Sequence, residues 1–91
     1  MTIEIKRNAE ATVIGKSGVT KIILDVYVYR QIGSSWTYVA ENHKTVIGTV
    51  GGISCQFTAV SGSYYRADYT FTVTKNGVQE IINETKYGIC D

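Results

Sequence analysis

The chain offers few side chains of the types that catalyse reactions or bind metals. His43 is the only histidine. It stands beside Lys44 in a predicted turn, and no G-x-S-x-G motif supplies a nucleophile for it to activate. A zinc site needs about four ligands, which one histidine and two cysteines do not provide. We interpret His43 as an exposed turn residue, and we expect a protein that is not an enzyme and has no cofactor.

Two glutamates form the best candidate for an acidic site. Glu80 and Glu84 are four residues apart, so a strand would place both carboxylates on the same face. Calcium takes about six to eight oxygen ligands, and no D-x-D-x-D loop adds them here. We therefore interpret this pair as a solvated strand face and expect no metal.

The only cysteines are Cys55 and Cys90. A bond between them would close a loop of about 35 residues and stabilise the fold by about 3–4 kcal/mol. Because a chain this short has a small core, and an even cysteine count favours an oxidising compartment, we expect a Cys55–Cys90 disulfide. Two arrangements stay open: unlinked thiols, or a bond from Cys90 to a neighbouring subunit.

Tyrosine is the one unusual feature of the composition, with seven in 91 residues. Tyr27 and Tyr29 are expected on the outward face of an apolar strand, where they make an aromatic strip about 7 Å long. Such a strip stacks on sugar rings or packs into protein interfaces. The alternative is that tyrosine merely suits a half-exposed strand.

Arg66 is the third candidate binding residue. It lies between Tyr65 and Ala67, which are expected to point inward, so its own side chain is expected to point outward. It would then pair with Asp68 or Glu80, an exposed ion pair that contributes about 0–1 kcal/mol. The alternative is that Arg66 binds a carboxylate or phosphate of a ligand.

The elements that position these residues are predicted to be β-strands. Apolar and polar residues alternate with period 2, and Gly, Ser and Asn interrupt them about every 8–12 residues, which predicts about seven strands and no substantial helix. In the clearest strand, Thr20 to Arg30, the predicted core face is Ile22, Leu24, Val26 and Val28. Asn76-Gly77 predicts a type I′ hairpin.

Two later strands alternate in the same way. Their predicted inward residues are Ile53, Cys55, Phe57 and Ala59 in one strand, and Tyr65, Ala67, Tyr69, Phe71 and Val73 in the other. Separate strands are predicted for Trp36 to Glu41 and for Thr45 to Val50. The first strand is predicted to run from Thr2 to Lys6 and to continue after a kink as Asn8 to Ile14.

This spacing predicts one immunoglobulin-like antiparallel β-sandwich over residues 1–91, with a small β-barrel as the alternative. Trp36 is the expected core tryptophan, and Tyr64-Tyr65 the expected tyrosine corner. On that interpretation Trp36→Ala costs about 3–5 kcal/mol. The usual cysteine pair between the sheets is missing, so the domain is not of the antibody type.

The charge and hydropathy of the chain exclude several partners. The formal net charge is +1, and we expect no binding to nucleic acid. No apolar run approaches the roughly 20 residues of a membrane helix. The N-terminus lacks the apolar stretch of a signal peptide. The protein is then either intracellular or a mature secreted form with a new start methionine, and we favour the second.

One set of motifs resembles a known family. The segments 62–67 (GSYYRA) and 76–80 (NGVQE), with Thr85 and Gly88-Ile89, are similar to the C-terminal half of small secreted proteins from clostridia, bacilli and their relatives. The segment 33–36 (GSSW) resembles the turn before the family's central strand. The family has no assigned activity, so the resemblance implies secretion and a β-sandwich, and no catalytic residues. The family's usual signal peptide is missing from this chain.

Two functions follow from these observations. The first is a secreted or cell-surface binding module for a protein or a glycan. The alternative is a self-assembling structural subunit, in which the N-terminal segment Thr2–Arg7 adds its strand to a neighbouring sheet and Cys90 locks the contact.

Overall fold

The computed structural model describes residues 4–90, with side chains from Arg7 onward, and confirms the all-β fold. The strands are β1 (Glu4–Ile14), β2 (Val19–Ile32), β3 (Ser35–Ile47), β4 (Val50–Val60), β5 (Tyr64–Lys75) and β6 (Val78–Ile89). A two-stranded sheet, β1-β4, packs on a four-stranded sheet of order β3-β2-β5-β6, and all pairs are antiparallel. Residues 4–90 include no helix long and apolar enough to cross a membrane.

The apolar face of β2 forms the centre of the core. Its predicted inward residues, Ile22, Leu24, Val26 and Val28, are the largest fully buried side chains among the described residues. β2 is hydrogen-bonded to β3 on one side and β5 on the other, and β4 packs across its inner face. The other predicted inward residues that the structure buries are Ile53, Cys55, Ala59, Tyr65, Tyr69, Phe71 and Val73.

The strands differ from the predicted ones in two places. Residues 35–47 form one strand rather than two, because the predicted turn at 42–44 pairs in register with β2, where Asp25 lies opposite His43. β1 runs without a kink from Glu4, while Thr2 and Ile3 lie outside the described residues. The chain then passes between the two sheets at Gly48, whose φ of 143° is a conformation that favours glycine.

The N-terminal strand is engaged within the chain. Residues 4–7 pair with Phe57–Val60 of β4 as the beginning of the β1-β4 sheet. This pairing uses one edge of β1 in a two-stranded sheet, so the expectation that the N-terminal segment adds its strand to a neighbour stays a prediction.

Two local features predicted from sequence are present. The backbone N–H of Val60 donates to Oη of the buried Tyr65 at 2.8 Å, which fastens the β4–β5 corner as a tyrosine corner does. Asn76 and Gly77 both have positive φ, 52° and 76°, as the type I′ turn between β5 and β6 requires.

The expected Cys55–Cys90 disulfide is not formed. Cys55 lies in the middle of β4, opposite Ala9. Cys90 lies beside the turn after β4, where its N–H donates to the carbonyl of Ser63 at 2.9 Å. From Cys55 to the end of β4 at Val60 the strand advances about 16 Å, whereas disulfide Cα atoms lie within about 7 Å. Burial raises the pKa of the Cys55 thiol, which lowers its reactivity.

We predict that Tyr65→Phe destabilises the domain by about 1–3 kcal/mol, because it leaves the partly buried N–H of Val60 without an acceptor. Urea denaturation measures the loss. Tyr87→Phe, at an exposed tyrosine of β6, is the control and should leave the midpoint unchanged. Equal midpoints for wild type and Tyr65→Phe would contradict the tyrosine corner.

Candidate functional site

The outer face of the four-stranded sheet, which points away from β1 and β4, carries a row of large side chains that crosses every strand. Tyr38 on β3 lies opposite Tyr29 on β2, which lies opposite Arg66 on β5, which lies opposite Tyr87 on β6. A β-bulge between β2 and β3 at Val28/Tyr29 sets this alignment. The strands therefore hold four side chains of binding type side by side.

Arg66 is the centre of this row. Its Cζ lies 4.6 Å from the ring centroid of Tyr29 and 4.8 Å from that of Trp36. Its Nε lies 3.1 Å from Oδ1 of Asp68, two residues along the same strand. Cation–π contacts of this kind contribute about 0.5–2 kcal/mol each and hold both rings against one guanidinium.

Two further rings, Tyr64 and Tyr87, close the cluster. Tyr64 and Tyr87 stack with centroids 5.9 Å apart and planes 9° apart. The Trp36 ring lies 5.9 Å from Tyr64 and 6.0 Å from Tyr87, tilted against both. We call Tyr29, Trp36, Tyr64, Arg66 and Tyr87 the aromatic platform.

The platform is open to solvent and extends into neighbouring apolar residues. Tyr87 is 58% exposed, and Ile89 on the same strand is 64% exposed. Tyr38, at the β3 end of the row, is 54% exposed. Contiguous apolar surface of this kind marks binding sites more often than single exposed apolar residues do.

The structure brings together two of the three predicted binding residues. Tyr29 and Arg66 are in contact in the platform. Tyr27 shares their face but lies in the next row, opposite Asp68 and Glu41. The edge of its ring meets His43 at 5.4 Å, so Tyr27 borders a charged cluster rather than the platform.

Three platform residues were not predicted as binding residues. Trp36 was expected in the core, but it is half-buried on the outer face of β3, a correction that follows from its contacts with Arg66 and the tyrosines. Tyr64 is two residues from Arg66, so the predicted alternation placed it outward and the signal was present. Tyr87 had no such signal, since only its strand pairing brings it to Arg66.

His43 is exposed, as predicted, but it lies in a strand rather than in a turn, and its ring is paired. Its Nδ1 lies 2.6 Å from Oδ1 of Asp25, and its Nε2 contacts Oε2 of Glu41. The hydroxyl of Tyr38 donates to the other carboxylate oxygen of Glu41 at 3.0 Å. One imidazole is therefore held between two acids.

This arrangement favours a protonated imidazole. Hydrogen bonds to Asp25 and then Glu41 raise the pKa of His43 above its ordinary value of 6.5. Hydrogen bonds from His43 and then Tyr38 lower the pKa of Glu41 below its ordinary value of 4.5. Both ring nitrogens are occupied, so neither is available to take a proton from a substrate.

The remaining candidate groups form no further site. Glu80 and Glu84 are exposed on β6, in agreement with the solvated strand face that we predicted for them. Within residues 4–90, no group of three His, Cys, Asp or Glu is placed to hold a metal ion.

No family model matches the chain, and neither a curated protein nor a solved structure matches it. The resemblance to small secreted proteins of clostridia and bacilli therefore stays a prediction. The function has to be argued from the outer face itself.

We predict that Trp36→Ala destabilises the domain less than Leu24→Ala does. Leu24 is fully buried, and its truncation should cost about 2–5 kcal/mol, whereas Trp36 is half-buried at the surface. Urea denaturation of both variants makes the comparison. A loss for Trp36→Ala equal to or larger than that for Leu24→Ala would return Trp36 to the core.

We also predict that the stability contributed by the His43 cluster is greatest between about pH 4.5 and pH 6.5. The contribution of His43, whose folded pKa is raised, is complete below its unfolded pKa and is lost as the pH rises through the folded pKa. The contribution of Glu41, whose folded pKa is lowered, is complete above its unfolded pKa and is lost as the pH falls through the folded pKa.

The measurement is the difference in unfolding free energy between wild type and His43→Gln from pH 3 to pH 9. The difference should peak in this window and shrink in 1 M salt, since all three groups are partly exposed. A difference that does not change with pH would mean that the cluster is not ionised.

Proposed function

We propose that this domain is a non-catalytic binding module, secreted or displayed at a cell surface, whose ligand packs on the aromatic platform. The observation that carries the proposal is the row Tyr38, Tyr29, Arg66 and Tyr87 across four hydrogen-bonded strands. The secreted location rests on the resemblance of the sequence alone.

The platform is organised before any ligand arrives. Its side chains stand on strands rather than loops, and the Arg66 guanidinium lies within 4.8 Å of the ring centroids of both Tyr29 and Trp36. Ordering a rotamer-rich side chain on binding costs about 0.5–1.5 kcal/mol, so rings that are already packed lose less. A rigid, exposed aromatic surface is suited to binding rather than to packing within this domain.

The residue types favour a polypeptide ligand. Trp, Tyr and Arg are the residues that contribute most to protein interfaces, and all three are present in the platform. The next row of the sheet carries Glu41, Tyr27 and Asp68, and beyond it Asp25. His43 and Arg66 pair these carboxylates, so they form a polar border beside the platform, as the rim of a protein interface is polar.

The same surface supports a non-catalytic role. Both ring nitrogens of His43 are paired with carboxylates. Asp68 is also occupied, by Arg66 and by the Thr85 hydroxyl, which donates to its Oδ1 at 3.1 Å.

We predict that peptides selected from a random displayed library on the wild-type domain lose at least about tenfold in affinity for Tyr87→Ala, a truncation of an exposed aromatic anchor. Trp36→Ala should lose as much. Ile47→Ala is the matched control, because Ile47 is 79% exposed on the same sheet but lies at the far end of β3. Its binding should equal that of wild type.

A parallel glycan array separates the two ligand classes. One outcome is that the library yields no peptide while the array shows sugar binding that depends on Tyr87 and Trp36. That result would keep the platform as the site but replace the polypeptide by a glycan. Ligands that bind all variants equally would refute the proposed site.

A further inference from the structure

β6 is an edge strand that is exposed along its whole length. All twelve residues of Val78–Ile89 are exposed, and β6 is hydrogen-bonded only to β5 among the described strands. The β5–β6 register is continuous, with no bulge, and the chain has no proline to block an edge. Long regular edges of this kind are templates for pairing with another strand.

We propose that β6 pairs with β6 of a second copy of this chain, antiparallel about a two-fold axis at Asn83. The two four-stranded sheets then form one continuous eight-stranded sheet. The two copies contribute the same surface, as a two-fold dimer requires.

The hairpin determines which backbone groups are available. Lys75 and Val78 flank the two-residue turn and therefore form a hydrogen-bonded pair. Hydrogen bonding alternates along an antiparallel pair, so even-numbered residues of β6 turn their N–H and C=O groups to β5. The groups that face the free edge belong to residues 79, 81, 83, 85, 87 and 89. A pairing centred on Asn83 places these odd residues opposite one another, as hydrogen bonding needs.

The charges of β6 select this register. With Asn83 on the axis, Glu80 lies opposite Lys86 of the second copy, and symmetry makes two such ion pairs. A register centred on Ile82 would place Glu80 opposite Glu84 twice. A register centred on Glu84 would place the two Glu84 carboxylates opposite each other. Like charges directly opposite are destabilising, and unlike charges are stabilising.

A register centred on Thr85 would also pair unlike charges, with Glu84 opposite Lys86. It overlaps Ile81–Ile89, whereas the register centred on Asn83 overlaps residues 78–88; both use five of the residues that face the free edge. The charged residues thus oppose the registers centred on Ile82 and Glu84, and the longer overlap favours Asn83 over Thr85 as the axis.

The rest of the fold leaves room for the second strand. Among the described residues, the two-stranded sheet packs mainly over β2, β3 and β5 rather than over β6. A strand added in the plane of the sheet also leaves the outer face open. Tyr87 would lie opposite Gln79 of the second copy, so dimerisation does not depend on the proposed ligand.

The first test is a charge exchange followed by sedimentation velocity over a concentration series at low salt. We expect wild type to dimerise, Glu80→Lys and Lys86→Glu each to weaken dimerisation at least about tenfold, and the double variant to restore it. Glu10→Lys is the matched control, because it makes the same change of charge on an exposed residue of β1. It should dimerise as wild type does.

A second test reads the register by cross-linking. With Asn83 on the axis, the two Cα atoms of a hydrogen-bonded pair lie about 5.5 Å apart, within disulfide range. Asn83→Cys should therefore form a linked dimer under mild oxidation, while Ile81→Cys and Thr85→Cys should not.

Three outcomes would overturn the proposal. These are a monomeric wild type at all concentrations, a dimer that Glu80→Lys leaves unchanged, and cross-linking at Thr85→Cys without cross-linking at Asn83→Cys. None of these results bears on peptide binding, which the platform variants test separately.

Discussion

The burial of one face of β2 is the interaction on which the rest of the structure depends. Ile22, Leu24, Val26 and Val28 contribute about 1.5–3 kcal/mol each when removed from water, and no other side chains of the described residues are as large and as fully buried. β2 therefore has to be central in its sheet, with β3 and β5 beside it and β4 across it. A strand with one face committed in this way has no freedom of register, because a shift by one residue would expose the whole apolar set.

The same arrangement of β2 places the aromatic platform on the outer face. When the even residues of β2 face the core, Tyr27 and Tyr29 must face outward. The neighbouring strands obey the same constraint, so Tyr64 and Arg66 on β5 emerge on this face because Tyr65 and Ala67 are needed inside. The platform is the outer side of the arrangement that fills the core, and Arg66 joins its rings because it stands directly between Tyr29 and Tyr87 in the register.

The outer face divides into two regions of different chemistry. One row is aromatic and centred on Arg66, and the two rows beside it carry Asp25, Glu41 and His43 in a closed network of hydrogen bonds. Both nitrogens of the His43 imidazole are hydrogen-bonded, which explains how a histidine between two acids on an open face can be structural. The polar groups are already hydrogen-bonded to one another, whereas the aromatic row is exposed. This is why we propose that the ligand binds the aromatic row.

Several features depend only on alternation along one strand or on one turn, and the sequence predicts them. The core faces of β2, β4 and β5, the Asn76-Gly77 hairpin, the tyrosine corner at Tyr65 and the outward direction of Tyr29 and Arg66 are of this kind. Local steric preference and the period of a strand decide them, and both can be read from neighbouring residues.

Other features depend on which strands lie side by side, and only the tertiary structure shows them. The position of Trp36 above Arg66, the pairing of His43 with Asp25, the contact of Tyr87 with Tyr64 and the distance between Cys55 and Cys90 follow from strand order and register. These involve residues about 20 to 35 positions apart in the chain, where no local pattern carries information. A tryptophan and a histidine that looked like a core residue and a turn residue therefore became surface residues of one sheet.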